Sequence, residues 1–305
     1  MKIRKKHNIY DVGLFVIIVL LIFGNIGGAF QPIRIFSIIF LPFTLINSIH
    51  INRYKNELWI IHFFFIFLVY IVLSLFWSPE PITGLKELVY FFVHFVIFLE
   101  LVNWSKKAKK PTKTIVTAWI FVLFLTLPFA AYEIIFDEHL EMSKSSDIEK
   151  VNVGGEIISR SFASVTFINY NTYVVLVCFG LPFLFSQIFE KSKFKTQMIL
   201  WLLVLVSSMV LFTNASRGGI VCLFIIFTLF LYNSKLKIRS FKNIILITTL
   251  LSITFYLSLK FSNEIFQYFF LRLEAGRSLF SDSSRFELYE RAINIWVNSY
   301  FFGTG

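Results

Sequence analysis

Apolar residues occur along this chain in long unbroken runs rather than in alternation. Nine runs are long enough to read as membrane-spanning helices, at approximately 10–30, 33–51, 58–77, 84–102, 114–136, 170–189, 197–213, 218–232 and 243–260. A bilayer core needs about 20 mostly apolar helical residues to cross it. Continuous runs favour helices over a barrel, whose strands alternate between lipid and lumen. The pattern predicts an all-α polytopic integral membrane protein with about nine transmembrane helices. One later segment behaves differently. From Ser283 to Ser299, Phe286, Tyr289, Ile293 and Trp296 recur at helical spacing, while Arg285, Glu287, Glu290 and Arg291 are polar. That periodicity predicts an amphipathic helix able to lie on a membrane surface. Two parts are therefore expected. A transmembrane helical domain occupies 1–260, and 261–305 forms the first part of a large extracytoplasmic loop.

The polar connections set the orientation. Lys2, Arg4, Lys5 and Lys6 lie in the N-terminal tail, and Arg53 and Lys55 follow the second run. Lys106, Lys107, Lys109, Lys110 and Lys113 follow the fourth, and Lys191, Lys193 and Lys195 follow the sixth. Lys235, Lys237, Arg239 and Lys242 follow the eighth. With nine spans, all of these fall on one side. Basic loops stay in the cytoplasm, so the N-terminus is expected inside, together with the few acids Asp11, Glu57, Glu100 and Glu190. The opposite side carries a mixed acidic loop over 137–160.

Composition agrees with this reading. The 305 residues are 57% hydrophobic and only 15% charged, too few charges to cover a soluble globule, and 40 of them are Phe. The formal net charge of +11 would suggest nucleic acid in a soluble protein. Here the excess is a topology signal, and no nucleic-acid partner is needed. Cys178 and Cys222 lie inside apolar runs without paired spacing and read as small packing residues. The basic N-terminus resembles a signal peptide, but no Ala-x-Ala-type site follows, so the first run reads as a retained helix.

The residues that could carry chemistry lie near the outer face. Arg217 sits in Asn214-Ala-Ser-Arg-Gly-Gly219, a tight turn between two spans. Ser216 can cap the following helix, and Gly218 with its neighbour lets a ligand approach the backbone. A helix N-terminus beside an Arg suits an anion. An interfacial Arg that snorkels to the headgroups is the plainer explanation by position alone. Arg160 precedes Asn169-Tyr-Asn171 at the start of a span, and Arg285 and Arg291 lie on the amphipathic segment. For these three, an ordinary loop charge or a solvated helix face is the plainer explanation. Glu133, near the outer end of the fifth span, reads either as a base or as an interfacial acid. There is no metal-ligand spacing, no Walker motif and no Ser-His-Asp arrangement. Several outward arginines in a polytopic protein suit a phosphate or diphosphate group at the outer leaflet.

Four segments together resemble the O-antigen ligase/polymerase family of bacterial membrane glycosyltransferases. The first is Leu75-Phe-Trp-Ser-Pro-Glu-Pro81, followed by Leu85-Lys-Glu-Leu88. The second is Arg160 through Asn171, in which Ser164 and Val165 stand where a glycine is frequent and Ile168-Asn-Tyr replaces a common Asn-Pro. The third is Ser216-Arg-Gly-Gly219, the closest match. The fourth runs from Arg285 through Trp296 to Phe302-Gly-Thr-Gly305.

The resemblance implies a multi-pass enzyme of the bacterial cytoplasmic membrane, working without metal or other cofactor. It implies transfer of a glycan from a polyprenyl-diphosphate-linked oligosaccharide to an acceptor sugar hydroxyl at the outer leaflet. Arg217 and Arg285 are then the catalytic cations, with Arg160, Arg291, Asn171, Ser216 and Gly218 around the substrate. Partners are the lipid bilayer, the lipid-linked oligosaccharide and other polysaccharide assembly proteins. A surface-polysaccharide polymerase is favoured over an O-antigen ligase of the same family. The reason is the Phe-, Ile-, Lys- and Asn-rich composition, which suggests an AT-rich genome and a bacterium without lipopolysaccharide. A transporter or flippase for a lipid-linked saccharide is the rival from another class. It would need intramembrane polar groups and broken helices in corresponding halves. Family members continue further, so this chain is expected to be the first part of a longer protein, with the general base beyond residue 305.

Overall fold

The computed structural model describes residues 8–24, 26, 30–48, 58–136, 138–140, 151–153, 156–158, 162–189, 194–214, 216–233, 256 and 283–299. The helices are α1 (Ile9–Val19, continued by a 3-10 turn Leu20–Phe23), α2 (Pro32–Ser48), α3 (Leu58–Ser74), α4 (Pro81–Lys107), α5 (Pro111–Phe136), α6 (Tyr170–Phe189), α7 (Phe194–Thr213), α8 (Arg217–Asn233) and α9 (Ser283–Asn298). Eight of the nine expected runs therefore coincide with helices. Of the ninth, 243–260, only Tyr256 is described, and the start of the expected loop at 261 lies outside the described residues.

Helical structure is confirmed, with one addition. The expected loop 137–160 contains a small antiparallel ribbon of β1 (Val151–Val153) and β2 (Glu156–Ile158), in which Val153 pairs with Glu156 and Val151 with Ile158. Gly154 and Gly155 separate the strands, the two-residue glycine spacing that favours a hairpin.

Among the described residues, three helices are long and apolar enough to cross a membrane: α5, α6 over Tyr170–Ile188 and α7 over Lys195–Thr213. Shorter apolar helices cover Ile9–Phe23, Pro32–Thr44, Trp59–Ser74 and Gly218–Leu229. The reason is visible on α5. Its buried face is Val122, Leu123, Thr126, Leu127, Ala130 and Ile134, yet Phe121, Phe124 and Ile135 on the other side are exposed. A helix apolar on both faces belongs in lipid rather than at a water boundary. The chain is a membrane protein on this evidence of length and composition.

The molecule divides into two compact units. The first holds residues 1–10, 33–109 and 275–305. In it, α3 packs on α4 and Phe64 meets Phe91, Phe95 and Phe98. The turn from α3 to α4 is the Trp77-Ser-Pro-Glu-Pro81 segment. The Glu80 amide donates to Ser78 Oγ at 3.3 Å, the Thr83 hydroxyl donates to Glu80 Oε2 at 3.2 Å, and Pro81 opens α4. This motif is thus the punctuation between two helices. Glu100, one of the acids expected on the cytoplasmic side, is wholly buried on α4, beside the Ser37 and Thr44 hydroxyls of α2. On α9, residues 287–298 are exposed, including Tyr289, Ile293 and Trp296 of the expected apolar stripe.

The second unit holds residues 11–32 and 110–274. Here α6 is central, packing on α5, α7 and α8. Gly180 of α6 allows this. A Cβ at that position would sit 2.6 Å from Leu123 Cδ1 and 2.8 Å from Leu123 Cγ, inside van der Waals contact with a buried side chain of α5. Trp119 of α5 stacks on Phe183 with centroids 5.9 Å apart, extending the same interface.

Gly180→Ala is expected to destabilise the protein by about 1–3 kcal/mol through overpacking. Thermal unfolding of the purified chain in detergent measures this. Adding Leu123→Ala should recover part of the loss, and an unchanged melting temperature in the single variant contradicts the packing argument.

Candidate functional site

At one end of the second unit the C-termini of α5 and α7 meet the N-termini of α6 and α8. The connection from residue 162 to α6 passes between them and is held by two buried side chains. Glu133, in the last two turns of α5, is only 2% exposed. Its Oε2 accepts hydrogen bonds from the Ser164 and Val165 amides, both at 2.8 Å. Two consecutive amides aimed at one anionic oxygen form a small backbone nest. Asn214, wholly buried just after α7, holds the neighbouring residue from the other side. Its Oδ1 accepts from the Ala163 amide at 2.7 Å, and its Nδ2 donates to the Ala163 carbonyl at 2.8 Å.

This clamp holds an unfavourable backbone. Val165 has φ +54°, left-handed, which is uncommon for a β-branched residue. That conformation costs about 1–2 kcal/mol for an L-residue. Each such hydrogen bond contributes about 0.5–1.5 kcal/mol net, so the Glu133 pair offsets the strain. It also explains why a glycine suits this stretch in the family that the sequence resembles. Further along, the Thr166 hydroxyl donates to the Ile22 carbonyl, and Phe167 lies against Gly24, itself at φ +40°.

The predicted site residues take the following places. Ser216 caps α8 as expected. Its Oγ accepts weakly from the Gly219 amide at 3.4 Å, and its carbonyl accepts from the Ile220 amide at 3.0 Å. Arg217 is the first residue of α8. Gly218 is exposed, with open space where a Cβ would go, so it suits approach by a ligand. Gly219 is different. A Cβ there would lie 2.6 Å from Val174 Cγ1, so this glycine serves the contact of α8 with α6. Asn171 is exposed on the first turn of α6, and its amide donates to Asn169 Oδ1 at 2.8 Å, so Asn169 is the cap. Arg160 lies outside the described residues. Arg285 and Arg291 are on α9 in the first unit, and Arg291 is exposed. The Asn214–Ala163 pair thus ties together two of the motif segments, 160–171 and 214–219.

Glu133, read from sequence either as a base or as an interfacial acid, is buried. It is a buried anchor, with Oε2 on the loop and Oε1 3.6 Å from His139 Nδ1. The His139 ring stacks on Phe162, with centroids 4.4 Å apart and planes 20° from parallel. Beside this pair a cavity of about 500 Å³ opens, lined by Phe129, Tyr132, Glu133, Glu138 and His139 among others. The Tyr132 hydroxyl donates to Glu138 across it. The sequence offered no signal for His139, which lies between Glu138 and Glu141 in a polar loop, nor for Asn214, whose partner is 51 residues away.

Removing either pin leaves buried backbone groups unpaired, at about 1–3 kcal/mol each. Glu133→Ala and Asn214→Ala should therefore both lower the melting temperature. They should also accelerate amide exchange at residues 163–165, read by mass spectrometry. Wild-type protection in both variants contradicts the clamp.

Residues 202–305 match the family described as O-antigen ligase. The matched stretch, about a third of the chain, includes most of α7 and all of α8 and α9. No curated protein and no solved structure matches the chain. The match begins before Asn214 and takes in Ser216-Arg-Gly-Gly219 and Arg285, two of the motif positions read from sequence. By this match residues 202–305 are similar to the family described as O-antigen ligase.

Proposed function

We propose that the chain polymerises surface polysaccharide in the bacterial cytoplasmic membrane, acting on a polyprenyl-diphosphate-linked glycan at the outer leaflet. The supporting observation is Arg217. It opens α8 inside the family-matched region, behind a Ser216 cap and three residues after the Asn214 clamp. The first amides of a helix and a guanidinium together form an anion site. In the reaction, an acceptor hydroxyl attacks the anomeric carbon, and the new glycosidic C–O bond forms. The bond from that carbon to the diphosphate oxygen breaks, and the polyprenyl diphosphate leaves with the electron pair. The hydroxyl proton passes to a general base. Charge develops on the leaving oxygen, so fixed cations there stabilise the transition state. Arg217 takes that role, and Arg285 takes it on the strength of the motif match, with Arg160, Arg291 and Asn171 assigned to the substrate. Group transfer is favoured over transport by the family match. The family's own description favours a ligase as the second reading.

Arg217→Ala and Arg285→Ala should each reduce polymerisation by on the order of 10²–10³-fold, the effect of losing one oxyanion donor. Gel profiles of surface polysaccharide from cells making each variant at normal levels test this. Wild-type chain length in both variants refutes the assignment. With purified protein and lipid-linked repeat unit, a ladder on the lipid carrier marks a polymerase. Transfer to a separate lipid acceptor marks a ligase, and leaflet movement without new bonds marks a carrier.

The proposed orientation puts the 106–113 loop inside and residues 138–140 outside. Single cysteines at Lys109 and Leu140, in a background lacking Cys178 and Cys222, should label differently with an impermeant thiol reagent. Leu140→Cys labels in intact cells, and Lys109→Cys labels only after lysis. The reverse pattern inverts the topology.

A further inference from the structure

The cavity beside Glu133 lies outside every motif that the sequence supplied, and its chemistry differs from that of Arg217. At about 500 Å³ it is of ligand-binding size. Its walls combine exposed ring faces, Phe129 and Tyr132, with two carboxylates, Glu133 and Glu138, and the His139 imidazole. It also sits at the C-terminal end of α5, where the last turns of a helix present the negative end of its dipole. Carboxylates and a helix C-terminus repel a diphosphate. They suit an uncharged ligand rich in hydroxyl donors, and the ring faces suit a ligand with apolar C–H surfaces. A pyranose has both properties: its C–H face lies against an aromatic ring while its hydroxyls donate to carboxylate oxygens.

We infer that this cavity is the subsite for the acceptor saccharide, with Phe129 and Tyr132 as the ring platform and Glu138 as the hydroxyl acceptor. The inference rests on the glycan-transfer reading above and adds the place where the second sugar binds. The backbone supports it. Glu133, which lines the cavity, holds Ser164 and Val165, and Asn214 holds Ala163 three residues ahead of Arg217. A run of four hydrogen bonds thus connects the cavity wall to the turn that presents the proposed donor-binding cation. Fixed spacing between two such subsites is what a transfer reaction needs, because attack requires the reacting atoms to be held about 3–3.5 Å apart. The tether of Glu133 to the loop also leaves Glu138 and the rings as the groups free to set sugar preference, and Tyr132 donating to Glu138 fixes that carboxylate.

Saturation-transfer NMR of the full chain in detergent, with lactose, maltose and N,N′-diacetylchitobiose as probes, tests this directly. Saturation should reach the C–H protons of at least one disaccharide. Tyr132→Ala and Phe129→Ala should weaken it roughly tenfold, the change expected from losing one aromatic face. Glu138→Gln should weaken it as well, and excess inorganic pyrophosphate should not displace the sugar. Tyr132 is 46% exposed, so melting temperatures separate lost binding from lost folding. Absence of transfer from all three sugars, equal transfer in folded Tyr132→Ala, or displacement by pyrophosphate overturns the inference. Arg217→Ala separates it from the functional reading. If that reading alone fails, Arg217→Ala cells keep long polysaccharide while sugar binding still depends on Tyr132. If the subsite alone fails, Arg217→Ala shortens the polysaccharide while Tyr132→Ala does not.

Discussion

Glu133 lies in the last turns of α5, and one of its carboxylate oxygens takes both the Ser164 and the Val165 amides while almost no solvent reaches it. Much of this end of the second unit follows from that arrangement. A buried carboxylate without partners is one of the costliest groups a fold can hold. With two charge-assisted donors it becomes a fixed point instead. It forces Val165 into a left-handed backbone, which turns the chain so that Phe167 meets Gly24 and α6 can begin at Tyr170. Asn214 supplies the complementary hold. Its amide meets both polar groups of Ala163, much as a neighbouring strand would. The start of α8 is therefore positioned by hydrogen bonds three residues before Arg217.

The two helix ends gathered here have opposite electrostatic character. The α8 N-terminus offers its first amides, with Arg217 as the first residue of the helix. The α5 C-terminus offers carboxylates, ring faces and an imidazole. A transfer reaction between a charged lipid-linked donor and an uncharged acceptor has the same asymmetry, and each half of the reading draws on one helix end.

The helices were legible because lipid imposes one rule on every spanning segment: backbone polar groups must be satisfied within it. The run 170–189 and α6 coincide, and α7 and α8 begin within three residues of expectation. The Ser216 cap was legible for the same kind of local reason, since a serine before Arg-Gly-Gly at a helix start has an amide to accept from. What escaped was non-local. Asn214 looks like any turn asparagine until Ala163 is beside it. Gly219 and Gly218 are neighbours in sequence, yet one faces Val174 and the other faces open space. Glu100 reads as a span-end acid among cytoplasmic charges, but the position of α2 buries it beside Ser37 and Thr44. Glu133 was visible as a polar residue near a span end, but its partners lie 31 and 32 residues downstream. His139 carried no signal because stacking on Phe162 is a property of the assembled end and of no local pattern.

That separation bears on how the chain is made. Ribosomes add roughly 5–20 residues per second. Ser164 follows Glu133 by 31 residues, so the carboxylate exists for a few seconds before its first amide donor has been synthesised. During that interval the acid at the trailing end of the otherwise largely apolar α5 has neither of the amides that later satisfy it. Glu133 therefore gains its two amide partners only after the loop that follows α5 has been made.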